Sequence, residues 1–202
     1  MIYRGNAMAS RAARSVLLGL LLTACASLPP PIRDELAATP SGQATVIFFT
    51  DFECPFCRRT RAAFEPALAS RRKDVRVVFR HVPLDRHPFA RTAARAAICA
   101  ERELPAERAF DYAAALFKAD DLSEQACADL AVRLGADRGK FHACVESPST
   151  DERLEADMAL FDDIGGDGVP LLFIGRERFE GAQSRLTLET SLRHALARAG
   201  AR

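Results

Sequence analysis

Two cysteines separated by two residues, Cys54-Pro55-Phe56-Cys57, directly follow an apolar run containing Val46-Ile47-Phe48-Phe49 and open a helical pattern. A thiol pair at a strand-to-helix junction suits reversible disulfide chemistry. The thiolate is the reactive form of cysteine, and a helix N-terminus favours negative charge. With Cys54 at the N-cap, Pro55 falls on the first helical position, where the N–H it lacks has no partner to lose. The free N–H groups of the first turn then face the Cys54 sulfur and favour its thiolate, which makes Cys54 both attacker and leaving group. Cys57, one turn on, is placed beneath it as the resolving cysteine. Arg58, Arg59 and Arg61 fit a solvated helix face, with positive potential on the thiolate as the alternative.

Other uses of two cysteines are less well supplied. A zinc site needs a second C-x-x-C or an H-x-x-x-H, and neither is present. His81 and His87 are the histidines a copper- or zinc-handling protein would recruit beside Cys54 and Cys57. That remains the alternative use of the pair; the primary expectation is no metal and no organic cofactor, since the cysteines are themselves the redox centre. A purely structural bridge is disfavoured, because closing so short a loop constrains the unfolded chain least.

The chain has 202 residues, enough for one medium domain with an insertion, and 49% are apolar, enough for a real core. Net charge is +1 and no Lys/Arg block with interleaved aromatics occurs, which excludes a nucleic-acid partner. Six cysteines are many for a reducing cytosol and ordinary for an exported protein. The N-terminus agrees with export. Arg4, Arg11 and Arg14 precede an apolar core at residues 16–22, too short to cross a bilayer as a helix. Residues 1–24 therefore read as a signal peptide. Leu22-Thr23-Ala24-Cys25 resembles a bacterial lipobox, in which the cysteine is acylated and becomes the new N-terminus. The competing cleavage, before Ser27 after Ala24-Cys25-Ala26, gives an exported protein without an anchor. Residues 25–42 are expected to be the anchor region, with Pro29-Pro30-Pro31 as a stiff spacer. The body of the protein then covers residues 43–202.

The body alternates strand and helix, with a helical interruption. Residues 44–50 form a buried central strand, 56–72 a helix that Pro66 kinks or ends, and 75–79 a second strand, together a βαβ unit. Residues 88–163 carry only helical patterning, in five segments, one of them the alanine-rich stretch around Ala93–Cys99. Gly165, Gly166 and Gly168 end that run. Leu171-Leu172-Phe173-Ile174 is a third strand, Arg178-Phe179-Glu180 a short fourth, and 186–199 a closing helix. Gly168-Val169-Pro170 immediately precedes the third strand.

The combination and order of these segments resemble the DsbA-like branch of the thioredoxin superfamily. The resemblance is carried by Asp51-Phe52-Glu53-Cys54-Pro55-Phe56-Cys57 and by Val77-Val78-Phe79-Arg80-His81-Val82-Pro83-Leu84. Ala97-Ile98-Cys99-Ala100, Phe141-His142-Ala143-Cys144 and Gly168-Val169-Pro170 add to it. It implies an α/β thioredoxin fold with an all-helical lobe inserted at about 88–163. Cys54 would be the exposed nucleophile and Cys57 its buried partner. Pro170 would be a cis-proline, presenting the Val169 backbone to an extended substrate chain, with Pro55 and Phe56 beside it. Val169 matches the residue that oxidising members carry there.

Two positions depart from the family pattern. Phe56 stands where the strongest oxidants carry histidine, so Cys54 should be less acidic and the protein a milder oxidant. Phe48 stands where many relatives carry a buried carboxylate, leaving water or Glu53 to relay the Cys57 proton. Of the remaining cysteines, Cys127 and Cys144 are near level in an antiparallel helical hairpin turning at Gly135-Ala136-Asp137, which predicts a structural disulfide between them. Cys99 would then be a buried free thiol; the rival pairing is Cys99 with Cys144.

The expected activity is thiol–disulfide exchange on exported proteins, as a disulfide donor in preference to a reductase. Such a protein needs a membrane partner to reset it, a quinone-linked oxidase for a donor or an electron-delivering reductase for the reverse. A monomer held at the periplasmic side of a bacterial membrane through Cys25 is the expected state. The residues between Cys25 and the first strand are too few for the dimerisation domain of an isomerase.

Overall fold

The structure is a computed structural model and describes residues 28–200. The expected signal peptide and Cys25 lie outside the described residues. The centre is β1 (Ala44–Thr50), buried at every position because its apolar residues do not alternate with polar ones. β2 (Val75–His81) runs parallel to it, in a register that sets Phe48 beside Phe79 and Thr50 beside His81. β3 (Leu171–Ile174) and β4 (Glu177–Glu180) add antiparallel on the other side, giving the order β2-β1-β3-β4. Register partners on neighbouring strands point to the same face, whereas successive residues alternate. Phe48 therefore meets Phe79 at 6.0 Å and Phe117 at 5.9 Å, while Phe49 meets Phe161 on the opposite face at 5.8 Å.

α1 (Pro30–Ala37) begins within the proline run. The expected free spacer is thus corrected: proline is compatible with a first helical turn, and Ile32 anchors the helix in the core at 1% exposure. α2 (Pro55–Ala69) continues past Pro66 and stops before the expected end at 72. The lobe consists of α3 (Ala90–Glu103), α4 (Ala106–Leu116), α5 (Glu124–Arg133), α6 (Arg138–Val145) and α7 (Pro148–Asp163). Its small side chains let α3 sit in the middle, in contact with the other four. Ser123 and Asp137 cap α5 and α6 by accepting from Ala126 N and Lys140 N. α8 (Arg185–Gly200) closes the chain against α2 and β1.

Beside the aromatic contacts of Phe48 and Phe49, a buried carboxylate ties the lobe to the sheet. Asp157 of α7, fully buried, accepts from the His81 backbone N–H at 3.1 Å, Arg80 Nη1 at 2.9 Å and Arg153 Nε at 3.2 Å. It covers the edge of β2, whose backbone would otherwise be an open pairing template. Arg80 also reaches Glu35 of α1, which binds Arg76 as well, so α1, β2 and α7 share one ion network.

The expected Cys127–Cys144 bridge is not formed. Cys99 of α3 and Cys144 of α6 are joined instead, with Cα atoms 5.8 Å apart, and Cys127 is a buried free thiol. The heights were compatible with either pairing, but rotation decides it. Cys127 turns its Sγ towards the Leu122 carbonyl at 3.6 Å, and its own carbonyl accepts from the Tyr112 hydroxyl at 3.0 Å. Peptide mapping should recover a Cys99–Cys144 cross-link and an alkylatable Cys127 after unfolding. Cys144→Ser should lower stability by about 2–4 kcal/mol, the usual cost of opening a loop of this size, whereas Cys127→Ser should leave the cross-link intact.

Candidate active site

The end of β1 delivers the chain to α2 through Asp51-Phe52-Glu53, and this short loop is fixed from both sides. The Asp51 carboxylate is buried; Oδ1 accepts from Glu53 N at 2.7 Å, and Oδ2 accepts from Leu84 N at 3.0 Å and lies 2.6 Å from His87 Nδ1. Arg58 Nε donates to the Phe52 carbonyl at 2.7 Å. Cys54 takes the N-cap position in extended conformation, and its carbonyl accepts the first helical bond from Arg58 N at 3.0 Å. Pro55 is the first helical residue, as its missing N–H requires.

Cys54 and Cys57 are both reduced here and both buried. The expected exposure of Cys54 is therefore corrected. What separates the two thiols is electrostatic. Cys54 is lowered from 9.0 to about 6, first by the hydrogen bond from Cys57 and further by the N–H groups of Cys57 and Phe56, against burial and the Asp51 charge. Cys57 is pushed far above the ordinary thiol range, first by burial and then because its proton is held by Cys54; the Thr50 hydroxyl and the Asp51 backbone only partly offset this. The pair thus shares one proton, with Cys54 as the anion and Cys57 as its donor.

The Val169–Pro170 peptide is cis, and the Pro170 carbonyl accepts from Gly181 N at 2.9 Å. The Val169 carbonyl stands 3.8 Å from Cys54 Sγ. Cys54, Pro55, Phe56, Cys57, Val169 and Pro170 are therefore brought together, as the sequence implied. Phe56 is 49% exposed beside the thiols. Phe89, exposed at 43%, joins this surface because the Glu53 carboxylate accepts from Phe89 N at 2.6 Å. A lone phenylalanine before a helix gave no signal of that. Glu53 is thereby engaged at the surface loop, away from any relay for Cys57.

The three arginines are not a plain solvated face. Arg59 stacks on Phe56 at 5.1 Å, and the buried Arg61 pairs with Glu65 and stacks on Phe110 at 5.0 Å. Arg61 is lowered to about 10, first by burial and then by Arg72. None of the three is among the leading influences on Cys54. Among the described residues no group of three or more His, Cys, Asp or Glu side chains gathers in a metal-binding arrangement.

The DSBA-like thioredoxin domain family model matches residues 45–193. The chain belongs to this family, and its thiol site is that of a thiol:disulfide oxidoreductase. Among solved structures it is similar to a thioredoxin-like oxidoreductase from Silicibacter pomeroyi DSS-3, with 25% identity, 81% of this chain and 96% of that one covered, and a TM-score of 0.66. The thiol-disulfide exchange protein alpha-DsbA2 from Wolbachia pipientis shares the fold at 21% identity, with 81% and 91% of the two chains covered and a TM-score of 0.67. A periplasmic thioredoxin-like protein from Salmonella enterica serovar Typhimurium shares it at 22% identity, with 85% and 99% covered and a TM-score of 0.65. Among curated proteins the chain is similar to the Na(+)/H(+) antiporter NhaA of Herminiimonas arsenicoxydans, 29% identical over 82% of this chain and 26% of the relative. It also resembles NhaA 1 of Mycolicibacterium gilvum, 32% identical over 80% of this chain and 26% of the relative. The chain spans about a quarter of the length of these curated relatives.

A thiolate held by a neighbouring thiol makes a pH prediction. Alkylation of Cys54 in the reduced protein should rise with a midpoint near pH 6, about three units below an ordinary thiol at 9.0. Cys57→Ala removes the leading stabilising hydrogen bond and should move that midpoint upward. The lowered group also stabilises the reduced fold. That contribution is full above pH 9 and fades as pH falls through 6, which acid titration of the reduced protein's unfolding midpoint reads out.

Proposed function

We propose that this protein donates disulfides to exported polypeptides, with Cys54 as the exchanging sulfur, Cys57 as its partner and the Val169–Pro170 segment as the backbone edge that receives the substrate chain. The observation that carries this reading is the place of Cys54 at the start of α2, where the Cys57 thiol and the N–H groups of Cys57 and Phe56 hold its thiolate. A stabilised thiolate favours the reduced pair, and a stable reduced form makes the disulfide the stronger oxidant. Phe56, standing where the strongest oxidants carry histidine, makes the expected donor a milder one. Exposed Phe56 and Phe89 flank the thiols and suit an extended apolar segment of an unfolded chain.

Equilibration against glutathione buffers should give a reduction potential on the oxidising side, between about −120 and −180 mV. A value near about −270 mV would reassign the protein as a reductase fed with electrons across the membrane. Cys57→Ser should accumulate mixed disulfides through Cys54 with exported proteins.

We place the protein at the periplasmic side of a membrane, anchored through an acylated Cys25 and reset by a quinone-linked oxidase. The lipobox-like Leu22-Thr23-Ala24-Cys25 supports this placement. Cys25 precedes the buried Ile32 by seven residues, which span at most about 25 Å, so an anchor there would hold the start of α1 close to the bilayer. Radiolabelled fatty acid should incorporate into the wild type and not into Cys25→Ser. Equal labelling of the two would remove the anchor.

A further inference from the structure

A buried cysteine that exchanges disulfides must lose and regain a proton. Phe48, at the strand position where the family pattern has a carboxylate, packs on Phe79 and Phe117; Glu53 is bound at the surface loop, and the buried Asp51 carboxylate is bound by Glu53 N, Leu84 N and His87. Two positions along from Phe48 on the same face of β1, the Thr50 hydroxyl faces the Cys57 sulfur. The strand register sets His81 beside Thr50, on that same face, with its ring 5.6 Å from Phe52. Apart from the Cys57 sulfur that Thr50 faces, Thr50 Oγ1 and both ring nitrogens of His81 have no hydrogen-bond partner among the described residues, nor has Thr60 Oγ1 one turn after Cys57 on α2. Buried polar groups are otherwise almost always paired, so such a group calls for an explanation.

We propose that Thr50 and His81 form the proton path of Cys57, with His81 receiving the proton through the Thr50 hydroxyl and one shared water. In the resolution step the Cys57 S–H proton passes to Thr50 Oγ1 while the Thr50 hydroxyl proton passes through the shared water to a His81 ring nitrogen. The Cys57 thiolate attacks Cys54 Sγ. A Cys54–Cys57 S–S bond forms, the Cys54–substrate S–S bond breaks, and the substrate sulfur leaves with the electron pair. The enzyme dithiol is oxidised and the substrate disulfide reduced; disulfide donation runs the same path backwards. The His81 ring is fully buried, so its proton then leaves for solvent by way of the same water. Three charged groups face His81, Asp157 and Arg153 of α7 and Arg80 of its own strand, and burial, the largest influence, pushes it down to about 4. The ring is therefore neutral at working pH, with one nitrogen free to accept. Polar unpartnered sites of this kind take up buried water. His81 acts through Thr50 and is a positioning and relay residue, not one that touches substrate.

This inference rests on the exchange activity proposed above, and its test separates the two. A mixed disulfide of Cys54 with glutathione is formed, and its resolution by Cys57 is timed in a single turnover from pH 5 to 9. His81→Gln keeps a polar side chain but accepts no proton. It should slow resolution about 100-fold at neutral pH, the lower range for a lost general base, and approach the wild type as pH rises. The pH midpoint for Cys54 alkylation should stay in place. Thr50→Val should slow resolution likewise, and Thr50→Ser should restore it. If His81→Gln fails to fold, the Thr50 contrast decides alone. Wild-type rates across the pH range in His81→Gln, or equal rates in Thr50→Val and Thr50→Ser, would overturn the path. A wild type that forms no mixed disulfide would instead overturn the exchange activity.

Discussion

A thiolate held inside a protein needs dipoles aimed at it, and the architecture around Cys54 follows from that need. The arginines of the following helix are not among the leading influences on Cys54. The stabilising groups are the Cys57 thiol and the N–H groups of Cys57 and Phe56. These donors are free only at a helix start, and they point at the sulfur only if α2 begins at Pro55. The buried β1 fixes that starting point, and the Asp51 carboxylate fixes the loop between them by binding Glu53 N, Leu84 N and His87. The same carboxylate opposes the thiolate by its charge, so one group both holds the loop and limits the acidity of Cys54.

The helical lobe adds a second constraint. β2 is an edge strand, and the lobe rests on that edge through the Asp157–Arg80–Glu35–Arg153 network. A buried ion network of this kind contributes little net stability compared with apolar packing, yet breaking one member is costly because it strands the others. It keeps this edge from pairing with an extended chain, while Phe56 stays exposed at the thiol end. The Cys99–Cys144 bridge ties α3 to α6 within the lobe, well separated in sequence from the reactive pair.

Much of the site was legible because it is local. A C-x-x-C after a continuous apolar strand, with proline at the first helical position, specifies its own geometry within four residues. Gly168-Val169-Pro170 before a strand did the same for the opposing loop. The helical lobe was legible from its period and caps, as Ser123 and Asp137 show. The proline run misled, since three successive prolines suit an extended spacer and a helical first turn equally, and the buried Ile32 decided between them.

By itself the sequence determined the strand–loop–helix unit, the identity of the reactive pair and the extent of the insertion, because each depends on contacts between near neighbours along the chain. Tertiary structure alone decided that Cys144 faces Cys99 instead of Cys127, because helix rotation is set by packing and not by height along a hairpin. It alone decided that Cys54 is covered, that Arg61 is buried against Phe110, and that Thr50 and His81 stand side by side on neighbouring strands. Those three outcomes join residues distant in sequence, and only the closing of the sheet and the docking of the lobe bring them into contact.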